Sequence, residues 1–252
     1  MTPALHPDSK RGAAAHKLIV ALDLPTAQEA CGLVSVLHGE VGIFKLGLEL
    51  IYADGLPFAR TLVESGFQLF LDAKLLDIPN TVERATANVA ALGAAFLTVH
   101  GTDRKTLDAA MRGRGGSATK LLAVTVLTSL DPADLAEQGL SAAPAELVLR
   151  RALLAKDAGF DGVIASPLEA KAIRAELGDD FLIVTPGIRP AGAASADQQR
   201  IATPAGAIAA GADYLVVGRP ITGAADPAQA ADAIISEIEA ALPGSFASSP
   251  PA

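Results

Sequence analysis

Eight short apolar runs, alternating with longer helix-like runs, constrain this chain more than any other feature. The apolar runs are 17–22 (KLIVAL), 43–47 (IFKLG), 67–74 (FQLFLDAK), 95–100 (AFLTVH), 121–127 (LLAVTVL), 161–166 (DGVIAS), 181–187 (FLIVTPG) and 213–219 (DYLVVGR). They are nearly all apolar rather than alternating, which is the pattern of parallel strands covered on both faces. The runs between them are rich in Ala, Leu and Glu at helical period. Gly66, Gly93, Gly159 and Gly211 each follow a helix-like run and lead into a strand-like one. A glycine there supplies the left-handed residue that closes a helix. Pro25, Pro79, Pro167 and Pro227 stand near the starts of helical runs, where a missing N–H costs nothing. Repeated strand–helix units predict a parallel sheet. With 252 residues, the α/β class narrows to a single (β/α)8 TIM barrel, which typically needs about 250. An open doubly wound sheet comes second. Its GxGxxG fingerprint is missing after the first run, where the chain reads ALDLPTAQ.

No Pro- or Ser-rich linker interrupts the middle of the chain, so one domain is expected over residues 16–241. Residues 1–15 and 242–252 carry no hydrophobic period and are expected as flexible tails. Composition narrows the function classes. A net charge of −8 argues against a general nucleic-acid binder, which needs clustered cations. The single cysteine, Cys31, excludes an internal disulfide framework and a Cys-based zinc cluster. His6, His16, His38 and His100 are scattered, so no metal site is expected. The N-terminus lacks the apolar core of a signal peptide. No apolar run approaches the roughly 18 residues of a membrane span. These features predict a cytoplasmic protein with no nucleic-acid or membrane partner.

In a barrel of this kind, chemistry sits at the C-terminal ends of the strands. Those ends read Asp23; Lys45; Asp72 with Lys74; His100; Thr128; Ser166; Thr185 with Gly187 and Arg189; and Gly218 with Arg219. Charges within apolar strands are costly unless paired. A lone buried charge is more commonly half of a core ion pair than a catalyst. Scattered core pairs, however, have no reason to gather at the same end of successive strands. The densest segment is LDAKLLDIPNTV. Asp72 and Lys74 are two apart, so an extended strand turns both to one side. Pro79 and Thr81 read equally well as helix-start chemistry. Lys45, Asp72, Lys74 and Asp77 together predict two cations and two anions in one pocket. A lysine held between carboxylates keeps its proton, which suits a general acid rather than a Schiff-base nucleophile. The Gly-plus-Arg loops after strands seven and eight suit a phosphate, through close backbone approach and forked donors.

Taken together, these residues resemble the orotidine 5′-phosphate decarboxylase family. Its hallmark D-x-K-x-x-D-I-P-x-T runs unbroken as Asp72-Ala-Lys74-Leu-Leu-Asp77-Ile78-Pro79-Asn-Thr81. The resemblance spans residues 17 to about 240 and includes ALD, FKLG, VTVLTS, TPGIRP followed by Asp197-Gln198, and VVGRPIT. One departure is His100-Gly-Thr-Asp, where bacterial relatives more often have His-Ala-x-Gly-Gly. The resemblance implies decarboxylation of orotidine 5′-phosphate to UMP, the last step of de novo pyrimidine synthesis, without metal or organic cofactor. It implies Lys74 as proton donor to carbon 6, with Asp72 and Lys45 completing the charged array. Asp77, Ile78 and Thr81 would cross a homodimer interface into the partner's site. Asp23 and Lys45 would bind ribose, Thr128 the pyrimidine, and Gln198 both base and phosphate. Arg189, Gly218 and Arg219 would hold the phosphate, with Pro186 among the substrate contacts. Residues 191–196 (AGAASA) are small enough to suit a lid over it. Two other readings stay open. Magnesium-dependent sugar-phosphate decarboxylases and aldolases of the same superfamily typically carry glutamate at the place of Lys45 and lack the I-P-x-T continuation. A non-catalytic nucleotide-binding barrel is the other.

Overall fold

In the computed structural model, residues 10–190 and 202–242 are described. Every apolar run identified in the sequence overlaps a strand: β1 (Leu18–Ala21), β2 (Ile43–Leu46), β3 (Gln68–Leu75), β4 (Phe96–His100), β5 (Lys120–Val124), β6 (Gly162–Ile164), β7 (Leu182–Thr185) and β8 (Tyr214–Val217). Each pairs in parallel with its sequence neighbours, and β8 pairs with β1, so the barrel closes as expected. The helices are α1 (Lys10–Ala15), α2 (Ala27–Leu37), α3 (Leu48–Leu50), α4 (Leu56–Glu64), α5 (Pro79–Leu92), α6 (Arg104–Arg114), α7 (Pro132–Glu137), α8 (Pro144–Asp157), α9 (Pro167–Leu177), α10 (Pro204–Ala209), α11 (Arg219–Thr222) and α12 (Pro227–Ala241). Among the described residues, no helix is long and apolar enough to cross a membrane.

Strand alternation divides the core in two. Ile19, Ile43, Phe70, Phe96, Leu122, Val184 and Val216 point inward and fill the barrel. Phe96 stands edge-on to both Phe70 and Tyr214, with ring centroids 5.8 and 5.2 Å away. The intervening residues, such as Leu18, Phe44, Leu69 and Leu97, point outward and meet the helices' apolar stripes. Each such side chain, fully buried, contributes about 1.5–3 kcal/mol. The helix ends follow the sequence signals. Gly93 closes α5 with φ of 84°, a conformation a Cβ would strain. Pro79, Pro167 and Pro227 each open a helix. At the barrel's other end, Asp161 and Asp213 accept from the Leu121 and Ile183 N–H groups and pair with Arg114 and Arg174. They tie neighbouring strands together there.

Two features depart from the sequence reading. Residues 10–15, expected within the N-terminal tail, form α1. Ala14 and Ala15 are buried, and Arg11 pairs with Asp232 on α12. One turn and a half of mostly small residues is too short to show a period, so only docking reveals it. The β2–β3 connection is also more than one helix: α3 leads through a kink at Ala53 and Asp54, where Asp54 is left-handed with φ of 62°, into α4. Residues 1–9 and 243–252 lie outside the described residues.

Candidate active site

The charged array grows from three adjacent strands. Ala21, Lys45 and Phe70 lie side by side in the β1–β2–β3 register, and Asp72 is the next residue of β3 on Phe70's side. Lys45 and Asp72 are only 6% and 8% exposed. Charges this deep persist only when paired, and these are. Lys45 Nζ lies 2.9 Å from Asp23 Oδ1 and 3.4 Å from Asp72 Oδ2. Lys74 Nζ lies 2.7 Å from the same Asp72 oxygen. Burial pulls the Lys45 ammonium down, but Asp72 and Asp23 overcome it and raise its pKa above the ordinary value. Burial pushes the Asp72 carboxyl up, but Lys45, Lys74 and a hydrogen bond from Thr98 hold it below the ordinary value. Both members are therefore ionised at neutral pH. Gly47 makes room for the cluster: a Cβ there would fall 2.6 Å from Asp23 Oδ1 and 2.8 Å from Lys45 Nζ.

Lys74 reaches this position through an irregular backbone. Its φ is 47°, left-handed and uncommon for any residue with a side chain. The register passes from Leu71↔Leu97 to Leu75↔Val99, so Asp72, Ala73 and Lys74 all stand opposite Thr98. The expectation that Asp72 and Lys74 share a side by simple extended alternation is corrected here. Both line the cavity, but across a bulge rather than along a regular strand. Bulges re-aim side chains in this way. Thr98 Oγ1 donates to Asp72 Oδ1 and accepts from the Lys74 N–H, each at 2.9 Å.

One cavity of about 520 Å³ opens at this end of the barrel. Asp23, Lys45, Asp72 and Lys74 line one side. Thr128, Pro186, Gly187, Arg189, Gly218 and Arg219 also line it, so ten strand-end residues singled out in the sequence meet around one space. Its floor is apolar, with Phe70, Val124, Ile164 and Val216. Such a floor lowers the local dielectric and strengthens the field of the charges above it. Gly218 leads directly into α11, whose first residue is Arg219. A short extra helix after strand eight is the phosphate-binding arrangement common to this fold.

Other expected residues lie elsewhere. Asp77, Ile78 and Thr81 do not line this cavity. Asp77 accepts from the Ile78 N–H at 2.6 Å, and Ile78 is 66% exposed. The four-charge pocket read from the sequence therefore holds three of its members within one chain. The turn after β3 carries Asp77 away. Helix α5 begins at Pro79, so Thr81 sits in its first turn rather than capping it. Ser166 caps α9 through the Leu168 N–H. His100 is half-buried outside the lining; burial, then the Lys74 and Arg151 cations, hold its imidazole below the ordinary range against the pull of Asp72. Gln198 and residues 191–196 lie outside the described residues. Thr98 and Gly47 do not stand out as site residues in the sequence. The only signal for Thr98 was a hydroxyl in the otherwise apolar run before His100.

Comparison with known proteins agrees with this geometry. Residues 16–234 match the family described as orotidine 5′-phosphate decarboxylase / HUMPS. An orotidine 5′-phosphate decarboxylase of Bradyrhizobium sp. (strain BTAi1) is 55% identical over 226 residues, which cover 90% of this chain and 93% of that protein. One of Rhodopseudomonas palustris (strain BisA53) is 55% identical over 222 residues, covering 88% and 94%. The crystal structure of orotidine 5′-phosphate decarboxylase from Lactobacillus acidophilus is similar with a TM-score of 0.78 at 42% identity, covering 88% of this chain and 99% of that one. A match spanning the barrel, and relatives this similar over nearly their whole length, mean that the chain belongs to the orotidine 5′-phosphate decarboxylase / HUMPS family.

Proposed function

We propose that this chain is a carboxy-lyase that converts orotidine 5′-phosphate to UMP and CO2, closing de novo pyrimidine synthesis. The observation that carries this reading is the Lys45–Asp72–Lys74 array sharing one cavity with the Gly–Arg loops after β7 and β8. The array suits a carbanion, and the loops suit the 5′-phosphate. In the proposed step the bond between carbon 6 and the carboxylate breaks, and its electron pair stays on carbon 6. CO2 departs, and a proton from Lys74 Nζ moves to carbon 6. Lysine regains its proton from solvent after UMP leaves. The step as written uses only fixed charges and one proton donor.

Enzymatic accelerations typically range up to about 10¹⁷-fold, about 23 kcal/mol, and no single contact supplies that. An ammonium about 4 Å from the developing charge contributes about 4 kcal/mol at an effective dielectric near 20. Asp72 repels the substrate carboxylate by a similar amount, and that repulsion vanishes as CO2 leaves. Binding energy from the remote phosphate, gathered by Arg189 and Arg219, organises the reacting end. Asp23 and Lys45 take the ribose, Thr128 and Pro186 the base, and Gln198 joins base to phosphate. Asp77, Ile78 and Thr81, at an exposed strand–helix turn, would complete the site of a second copy in a homodimer. The cytoplasm is the proposed compartment.

A magnesium-dependent sugar-phosphate lyase is the second reading within the family. Lys45 disfavours it, because its ammonium already lies against Asp23 and Asp72, the carboxylates a divalent ion would need. The deciding experiment follows loss of orotidine 5′-phosphate absorbance with and without EDTA. Turnover indifferent to EDTA is expected. No turnover, or turnover abolished by EDTA and restored by magnesium, overturns the reading. Tight UMP binding without turnover would leave a nucleotide-binding barrel.

A further inference from the structure

We propose that Thr98 is a positioning residue for this decarboxylation, its hydroxyl locking Asp72 and Lys74 into the arrangement that faces the substrate. The inference rests on the roles proposed above for those two residues. Thr98 is fully buried, and its hydroxyl makes two bonds. The direction of each bond is forced. An ionised carboxylate only accepts and a backbone N–H only donates, so the hydroxyl proton points at Asp72 Oδ1 and its lone pair faces the Lys74 N–H. One atom therefore ties both ends of the three-residue bulge.

Two consequences follow for the reacting groups. With Oδ1 occupied by Thr98, the Asp72 carboxylate turns its other oxygen, Oδ2, toward both ammoniums, at 3.4 Å from Lys45 and 2.7 Å from Lys74. The bond to the Lys74 N–H also holds a lysine backbone at φ of 47°. Such conformations persist where the surroundings over-determine them, and they cluster at functional sites. Without that bond the bulge has no side-chain anchor on β4 and is free to relax toward a regular strand. Lys74 Nζ would then move relative to carbon 6. Ordinary satisfaction of a buried hydroxyl would need only one of these two bonds.

The test compares Thr98→Val, which keeps shape and loses the hydroxyl, with Thr98→Ser, which keeps it. For Thr98→Val, kcat is expected to fall about a hundredfold, the scale of a misplacement near 1 Å. KM and UMP affinity should move only a few-fold, while thermal stability falls because two buried partners of the hydroxyl are left unpaired. Thr98→Ser should restore most of kcat. Parent-like kcat in Thr98→Val overturns the proposal. Parallel losses of kcat and UMP affinity that serine does not restore overturn it too, because they describe general damage. Should the valine variant not fold, serine against Thr98→Ala carries the test, and equal losses in the two overturn it. Lys74→Ala is measured alongside. If it turns over normally, the role proposed for Lys74 fails, and the role of Thr98 with it. If it is inactive while Thr98→Val is normal, only the role of Thr98 fails.

Discussion

Lys74 donates to Asp72 Oδ2 at 2.7 Å, from a backbone turned left-handed two residues beyond that carboxylate. The pair opens on a cavity whose floor is apolar, so its field is only weakly screened there. A cation and an anion held this way act oppositely on a substrate that loses a carboxylate and gains a proton.

Lys74→Ala is therefore expected to lower kcat by about 10³-fold or more, because a charge stabilisation of about 4 kcal/mol and the proton donor are lost together. UMP binding should change only a few-fold, since the phosphate loops are untouched. Steady-state kinetics and calorimetry on the same preparation check both halves.

Arg219→Ala tests the other side of the cavity. Hydrogen bonds to charged groups contribute about 1.5–3 kcal/mol, which corresponds to a loss of roughly 10- to 100-fold in UMP affinity. Affinity for uridine, which lacks the phosphate, should stay as it is. An equal loss for both ligands would remove Arg219 from the phosphate site.

Asp77 lies outside the cavity of its own chain, and the proposed homodimer gives it a place in the partner's. Lys74→Ala and Asp77→Asn should each be inactive alone. Mixing them with subunit exchange should recover activity, because one site of each mixed dimer then carries both native residues. Failure to recover activity in verified mixed dimers would return Asp77 to a role within its own chain.

The array also sets a pH window for stability. The Asp72 carboxyl lies below its ordinary value of 3.8 in the folded protein. Its stabilising contribution is present above 3.8 and is lost as pH falls through the folded value. Lys45 lies above its ordinary value of 10.5, so its contribution is present below 10.5 and is lost as pH rises through the folded value. Asp72→Asn leaves Lys45 with one carboxylate fewer and should cost about 3 kcal/mol at neutral pH. The gap between variant and parent should narrow as pH falls below 3.8, and again as pH rises above 10.5 through the folded Lys45 value. Denaturant unfolding across pH measures it.

Much of this was legible in the residues because it is encoded locally. Apolar runs mark each strand by burial on both faces, and Gly93 and Pro79 mark helix ends by their backbone limits. Lys45, Asp72 and Lys74 stood out because charge inside an apolar strand is costly without a purpose. Arg189 and Arg219 stood out because the fold predicts phosphate chemistry after the last two strands. Thr98 did not stand out. It lies 26 positions from Asp72, and a threonine in a strand invites no question. Helix α1 escaped for a related reason, since a turn and a half has too few residues to display a period.

The sequence by itself determined the strand order, the barrel class and the presence of the charges, all consequences of pattern within a few residues. The tertiary structure alone decided how those charges meet. The left-handed turn at Lys74, the bulge against Thr98 and the departure of Asp77 from the cavity depend on which strand lies alongside β3 and in what register. Pairing between distant segments sets that register, and no local periodicity carries it.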